Sequence, residues 1–334
     1  MFRKSLVVFV VFIVASTLLW ASEEENAAEL PLGCETIWEK TAPLFEDGTE
    51  GTLRQVKEMC VEILNGHSDC LPAMIAYGRA INDMKGFNID IGDYFQAYEP
   101  LARALVIDPD NVRALWVMAD LQRHSGHYDR AVRLAEKAVT LDPEDPYANY
   151  VLGSSLMVVN LDEAVKYLEK ASVLKPGWKI PALNLSAAYI RTKQYEKALV
   201  QLNIYLKADP GEVKALTNRG VVYMMLGKLE EAETDIDKAL ALNPRFGLAL
   251  KARADLYISQ NQHEKALETY KLALVSMPDD IGIWNLLAAL QVQSGLTDDA
   301  VKSYEKMIEL DPKNEEWKKA LQELKKKKDT QPSP

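Results

Sequence analysis

Residues Val213–Phe246 read VKALTNRGVVYMMLGKLEEAETDIDKALALNPRF. Apolar residues recur at helical spacing from Val213 to Met225 and again from Leu229 to Leu242. The turn signal Leu226-Gly227-Lys228 separates the two runs, so the stretch predicts a pair of antiparallel helices. Gly220, Ala232 and Ala239 are small, which lets two helix backbones approach closely. Pro244 closes the pair, because a proline ends a helix and suits the start of the next one, where its missing N–H is not needed.

The same unit recurs along most of the chain. Prolines 109, 143, 176, 210, 244, 278 and 312 are spaced 34, 33, 34, 34, 34 and 34 residues apart. Twelve residues before each stands an alanine: Ala97, Ala131, Ala164, Ala198, Ala232, Ala266 and Ala300. Five before each stand Ala104, Ala138, Ala171, Tyr205, Ala239, Ala273 and Met307. Ala119, Ser186, Gly220, Ala254 and Ala288 stand 24 before, with Gly153 in the short unit and Gly78 in the first, where extra residues around 85–92 lengthen the turn. One such pair cannot bury its apolar face alone, so a fixed period implies stacking into a continuous core.

With a small residue at position 8, Tyr189, Tyr223 and Tyr257 at 11, alanines at 20 and 27 and proline at 32, the units resemble tetratricopeptide repeats. The resemblance implies an all-α, right-handed superhelix, an α-solenoid of seven to eight helical hairpins. Seven units fall at 71–111, 112–145, 146–178, 179–212, 213–246, 247–280 and 281–314. Residues 34–70 read as a degenerate hairpin, with Trp38 and Leu44 on its first helix and Val56, Cys60 and Ile63 on its second, and Pro43 inside the first. Residues 315–328 read as a capping helix with Trp317, Leu321 and Leu324 on one face, and 329–334 as a disordered tail. The lysines at 325–328 suit a helix C-terminus and a soluble cap.

In the resembled family the first helix of each pair lines a concave groove. Carried over, the ligand-facing positions give Tyr147, Tyr150 and Met157, then Ile180, Leu183, Ala187, Ile190 and Arg191, then Lys214, Val221, Met224 and Met225. They describe a largely apolar floor, suited to an amphipathic helix or an extended peptide of a protein partner. The alternative is that several of them pack between neighbouring first helices. Arg113, Trp116, Asp120, Arg123 and His124 form a polar flank before this floor. The carboxylate clamp some family members use for chaperone tails is not matched, since Tyr150, Ser154 and Asn218 depart from it. Arg219 is placed to form an ion pair with Asp235.

Composition narrows the function. The chain has 334 residues, 48% hydrophobic and 8% aromatic, with a formal net charge of −10. That apolar content excludes wholesale disorder. The acidity argues against nucleic acid, which needs a basic face to displace phosphate counterions. No phosphate-cradling glycine loop and no Cys-x-x-Cys pair occurs. His124 and His127 flank a repeat turn and read as surface residues, not metal ligands. Asn184-Leu185-Ser186 is a glycosylation acceptor by pattern, but falls inside an expected helix. The residues therefore imply no enzyme, no cofactor and no metal.

The amino terminus suggests export. Arg3 and Lys4 precede an uncharged apolar run, Ser5–Ala21, followed by the acidic segment 22–33. Residues 1–21 read as either a cleaved signal peptide or an uncleaved membrane anchor, and both place the body outside the cytoplasm. Cys34, Cys60 and Cys70 fit an oxidising compartment, with Cys34–Cys70 the preferred disulfide and three buried thiols the alternative. The expectation is an exported, noncatalytic scaffold, periplasmic, extracytoplasmic or secreted. Its repeats resemble those of bacterial envelope-assembly and secretion scaffolds, and the membrane is met only through residues 1–21. Two alternatives stand beside it: an accessory subunit that positions an enzyme at the membrane, and a self-associating structural protein.

Overall fold

The computed structural model describes residues 33–34, 36–85 and 91–330, and the chain divides into two compact units, Met1–Ser155 and Leu156–Pro334. Among the described residues every element is a helix. The expected leader, most of the acidic linker, the insertion at 86–90 and the last four residues lie outside them.

The first unit holds α1 (Ile37–Asp47), α2 (Glu50–Gly66), α3 (Leu71–Lys85), α4 (Ile91–Ile107), α5 (Val112–His124), α6 (Tyr128–Leu141) and all but the last residue of α7 (Pro146–Leu156). Consecutive helices pack in antiparallel pairs, and the first helices α1, α3 and α5 also touch one another. Pro43 sits within α1 without ending it. Cys34 and Cys70 form a disulfide that closes the first hairpin, beside a core of Ile37, Phe45, Leu53, Val56 and the free Cys60. Burial pushes the Cys60 thiol up to about 12, so it stays protonated.

The second unit continues with α8 (Leu161–Leu174), α9 (Lys179–Arg191), α10 (Tyr195–Ala208), α11 (Val213–Met225), α12 (Leu229–Leu242), α13 (Gly247–Ser259), α14 (His263–Ser276), α15 (Ile281–Gln293), α16 (Thr297–Leu310) and α17 (Glu315–Thr330). Its helices also pack as consecutive pairs, each pair against the next. The terminal helix runs to Thr330, so residues 329 and 330 belong to it and not to a tail starting at 329. A lysine run placed where the helix dipole is negative favours that extension. Lys325 also pairs with Glu305 at 2.8 Å.

The periodic small residues mark where helices meet. All seven alanines of the position 12 before the proline are 0% exposed. A Cβ added to Gly78 would lie 2.5 Å from Leu101 Cγ, and one on Gly220 would lie 2.7 Å from Ile236 Cγ1. Real carbon atoms do not approach so closely, so glycine at these positions lets the two helices of a pair touch. Past the prolines, side chains cap the next helices. Asn111 Oδ1 accepts from the Ala114 N–H at 3.0 Å, Asp145 Oδ1 from Ala148 at 2.8 Å and Asp280 Oδ1 from Ile283 at 2.9 Å.

Candidate functional site

Counting from Gly78, the ligand-facing positions of the first repeat are Arg79, Asn82 and Asp83 on α3. They meet Arg113, Trp116, Asp120, Arg123 and His124 of α5, and Tyr147, Tyr150 and Ser154 of α7 stand at the matching places on the next first helix. Three successive first helices of one unit thus build a single face.

Its aromatic half encloses a guanidinium. The Arg79 guanidinium carbon lies 4.0 Å from the Phe45 ring centroid, 5.1 Å from Tyr147, 5.2 Å from Trp116 and 5.8 Å from Trp38. Trp116 and Tyr147 stack at 5.2 Å with planes 13° apart. A cation over such faces is attracted by the ring quadrupoles. Arg79 Nε donates to Asp83 Oδ2 at 3.3 Å. Exposed Arg113 lies over Trp38 at 4.9 Å.

The polar half is a closed hydrogen-bond circuit. Asn82 Nδ2 donates to Asp120 Oδ2 at 2.7 Å. Arg123 Nε and Nη2 donate to Asp120 Oδ1 at 2.9 and 2.6 Å. Arg123 Nη2 also lies 2.6 Å from His124 Nε2, and His124 Nδ1 lies 2.9 Å from Asn82 Oδ1. Since Arg123 can only donate, His124 Nε2 accepts and Nδ1 carries the proton given to Asn82. The imidazole is therefore neutral.

The charges follow from these contacts. Burial alone would raise the Asp120 carboxyl, but Arg123, His124 and Asn82 together hold it below its ordinary value. Burial lowers His124, against the pull of Asp120 and helped by Arg123. Asp83 borders solvent yet is crowded by protein, and this desolvation pushes its carboxyl up to about 6 against the Arg79 charge, with Asp120 adding to the rise. Burial also raises the Tyr150 phenol, so it stays a neutral donor.

The expected groove residues separate into two groups. In the first unit Tyr147 and Tyr150 belong to the charged and aromatic face just described, together with the residues read from sequence as a polar flank. His124 is a correction: only 9% of its side chain is exposed, and it is held in the circuit, not on a surface turn. In the second unit Met157 follows the end of α7, in a turn, and its carbonyl accepts from Arg191 Nη1. Leu183, Ala187 and Ile190 are half-buried along α9, and Ile180 and Arg191 are exposed. On α11, Lys214 and Met225 are exposed. Val221 and Met224 pack against Ile236, Ala252 and Leu256, so they serve the contact between neighbouring helices. Arg219 forms the expected pair, Nε to Asp235 Oδ2 at 2.6 Å, and also donates to Asn203 Oδ1 at 2.9 Å.

Among the described residues no cluster of three His, Cys, Asp or Glu side chains can hold a metal, and no helix is long and apolar enough to cross a membrane. Paired helices that expose one row of first-helix side chains define a repeat protein of the α-solenoid class. The chain belongs to the tetratricopeptide repeat family, whose descriptions match residues 89–154, 213–246, 252–274 and 281–314. It is 25% identical over 183 residues to Hsp70-Hsp90 organizing protein 1 of Glycine max, covering 55% of this chain and 30% of that protein. TPR repeat-containing protein YpiA of Bacillus subtilis is 23% identical over 239 residues, covering 61% of this chain and 56% of that one. The chain thus spans less than two thirds of either relative. The crystal structure of the APC/C hetero-tetramer Cut9-Hcn1 contains a chain of the same fold, with TM-score 0.67 at 14% identity, covering 92% of this chain and 59% of that chain.

Proposed function

We propose that this chain is a noncatalytic adaptor that holds a segment of another protein on the first-helix face of its first unit. The observation that carries this is the convergence of Arg79, Asp83, Arg113, Trp116, Tyr147 and Tyr150 from three successive first helices. Asp83 and Arg113 offer exposed charges of opposite sign beside flat aromatic faces, while the circuit beneath them is already satisfied. A rigid, prearranged surface of this kind lowers the ordering cost of binding. The soybean relative, an organiser of Hsp70 and Hsp90 by name, supports protein binding in general. The departures at Tyr150, Ser154 and Asn218 argue against the chaperone-tail clamp as the mode.

The adaptor acts outside the cytoplasm on this reading. Support comes from the Arg3-Lys4 and Ser5–Ala21 pattern and from the Cys34–Cys70 disulfide, a bond that persists in oxidising compartments. Two experiments test the pair of ideas. Crosslinked capture from native membranes with wild type, Arg113→Glu and Tyr147→Asp proteins, each checked for helicity, should lose the same stoichiometric partner in both variants. Unchanged capture by folded variants would reject the face. N-terminal sequencing and thiol counting of the natural protein address the location. Reduced Cys34 and Cys70 in the natural protein would reject the oxidising compartment.

A further inference from the structure

A surface helix normally turns polar residues outward. Helix α4 instead exposes Phe95 at 60%, Val106 at 81% and Ile107 at 50%, with Tyr98 beside them. Both α4 and α6 are second helices of their pairs, so this side differs from the first-helix face. Two cavities share Tyr98 and Ala102 of α4 and so join into one groove. One, of about 540 Å³, follows the apolar row past Phe95 and Val106. The other, of about 640 Å³, lies between α4 and α6 and is lined beneath by Met118 and Gln122 of α5.

The two ends of the groove differ in charge. Arg130 and Arg133 stand three residues apart on α6, both exposed, and neither pairs with a carboxylate among the described residues. No acidic residue lines their cavity. Glu99 and Asp69 line the α4 end, where Asp69 is already paired with Arg103 at 2.9 Å. Asp129 lies beyond Arg130, beside Gly126 and His127. Gln122 adds a directional group. It is 2% exposed, and its Nε2 donates to the Tyr94 hydroxyl at 2.9 Å, but its Oε1 has no donor among the described residues. A buried acceptor of that kind is costly, so an N–H that enters the cavity gains by reaching it.

These features together select a polypeptide. A small anion would meet the two arginines and leave the apolar row uncovered. A hydrocarbon surface would cover the row and bring no N–H. The interior N–H groups of a helix are spent on its own turns, whereas an extended chain still offers them. The row from Phe95 to Ile107 covers roughly 18 Å of helix, the reach of about six extended residues. We propose that this groove binds an extended acidic and apolar segment of a partner protein. Its carboxylate meets Arg130 and Arg133, its backbone gives an N–H to Gln122 Oε1, and its apolar side chains cover Phe95, Val106 and Ile107. The inference concerns a different face from the proposed partner site and stands or falls separately from it.

A phage-displayed library of random octapeptides is the probe. It is panned on the full chain after depletion on a Val106→Asp variant, which removes binders that do not use the apolar row. The surviving sequences should place glutamate or aspartate beside large apolar residues. One survivor, synthesised and followed by fluorescence anisotropy, should bind the Arg130→Glu, Arg133→Glu double variant about tenfold more weakly, because attraction becomes like-charge repulsion. N-methylation at one backbone position of that peptide should weaken binding to wild type and have no effect on binding to Gln122→Leu. Arg113→Glu, on the first-helix face, should leave the affinity unchanged. Val106 and the three arginines are exposed, so circular dichroism should show the helices retained in these variants. No survivors, survivors without acidic residues, or equal affinity for the double arginine variant would each overturn the proposal. So would affinity lost with Arg113→Glu, or an N-methyl effect that persists in Gln122→Leu. Dimerisation of the wild type that Val106→Asp abolishes would assign the groove to a second copy and overturn it as well.

Discussion

Asn82 and Asp120 lie on different helices, α3 and α5, and join at 2.7 Å through the Asn82 amide and the Asp120 carboxylate, both buried. The other end of the Asn82 amide accepts from His124, so one side chain supports both an anion and a neutral imidazole. Replacing it by leucine keeps the volume and removes both bonds. Asp120 keeps its two bonds from Arg123, so the cost is that of one bond lost to a buried carboxylate and one lost to the His124 ring, about 1–3 kcal/mol. Asn82→Leu should therefore lower the urea midpoint of the first unit. Hydrogen exchange should show the loss along α3 and α5 and leave α13–α16 unchanged. Uniform weakening along the whole chain would contradict this local role.

The neutral His124 ring gives a pH signature. Its folded-state pKa is lowered by burial, so on acidification the unfolded chain takes up this proton first. The stability the neutral ring contributes is then complete above the ordinary imidazole range near 6.5, and is lost as pH falls through that range toward the lowered value. Asp83 titrates nearby with the opposite sign, but it is common to wild type and variant and cancels in their difference. The advantage of wild type over His124→Asn in urea unfolding should be larger at pH 7.5 than at pH 5.5. A difference independent of pH would show that His124 is not held neutral.

Gly78 and Leu101 test why the period is visible at all. The Cβ of an alanine at 78 would meet three Leu101 side-chain atoms between 2.5 and 2.9 Å away. Overpacking of that kind costs roughly 1–3 kcal/mol, more than the helix propensity alanine gains. Gly78→Ala should destabilise, while the same change combined with Leu101→Ala should cost less than the sum of the two single changes. Strict additivity in the double-mutant cycle would mean that the close approach of α3 and α4 is not what holds glycine there.

The same contrast explains what could be read without coordinates. Ala131, Ala164 and their counterparts stand at a fixed spacing because each is wholly buried among packed helices, and that constraint repeats in every unit. The Asn82–Asp120–His124 circuit repeats nowhere. Its members are 38 and 42 residues apart, and only the packing of α3 on α5 unites them. Arg79, Asn82 and Asp83 fall at ligand-facing positions when counted from Gly78, but they are polar, whereas the apolar pattern that marks a groove floor runs along α9 and α11. Val221 and Met224 occupy ligand-facing positions by number, yet whether such a side chain meets solvent or Leu256 depends on how the next helix leans, which no single repeat encodes.

The pairing of Arg219 with Asp235 is legible in the sequence and yields the sharpest energetic test in the second unit. Asp235 is 4% exposed and receives two bonds from Arg219, at 2.6 and 2.8 Å, and this bonding raises the Arg219 pKa further. Removing one partner of such a pair strands the other charge, at a cost of about 3–5 kcal/mol when burial is complete, and less here because Arg219 keeps a solvent-open edge. Arg219→Met should thus destabilise strongly, with lost exchange protection centred on α11 and α12. Arg219→Met with Asp235→Leu should recover most of that loss, since the stranded carboxylate is gone and the site becomes apolar. If the double variant is as unstable as the single one, the arginine stabilises the hairpin through its packing and its bond to Asn203, not by neutralising Asp235.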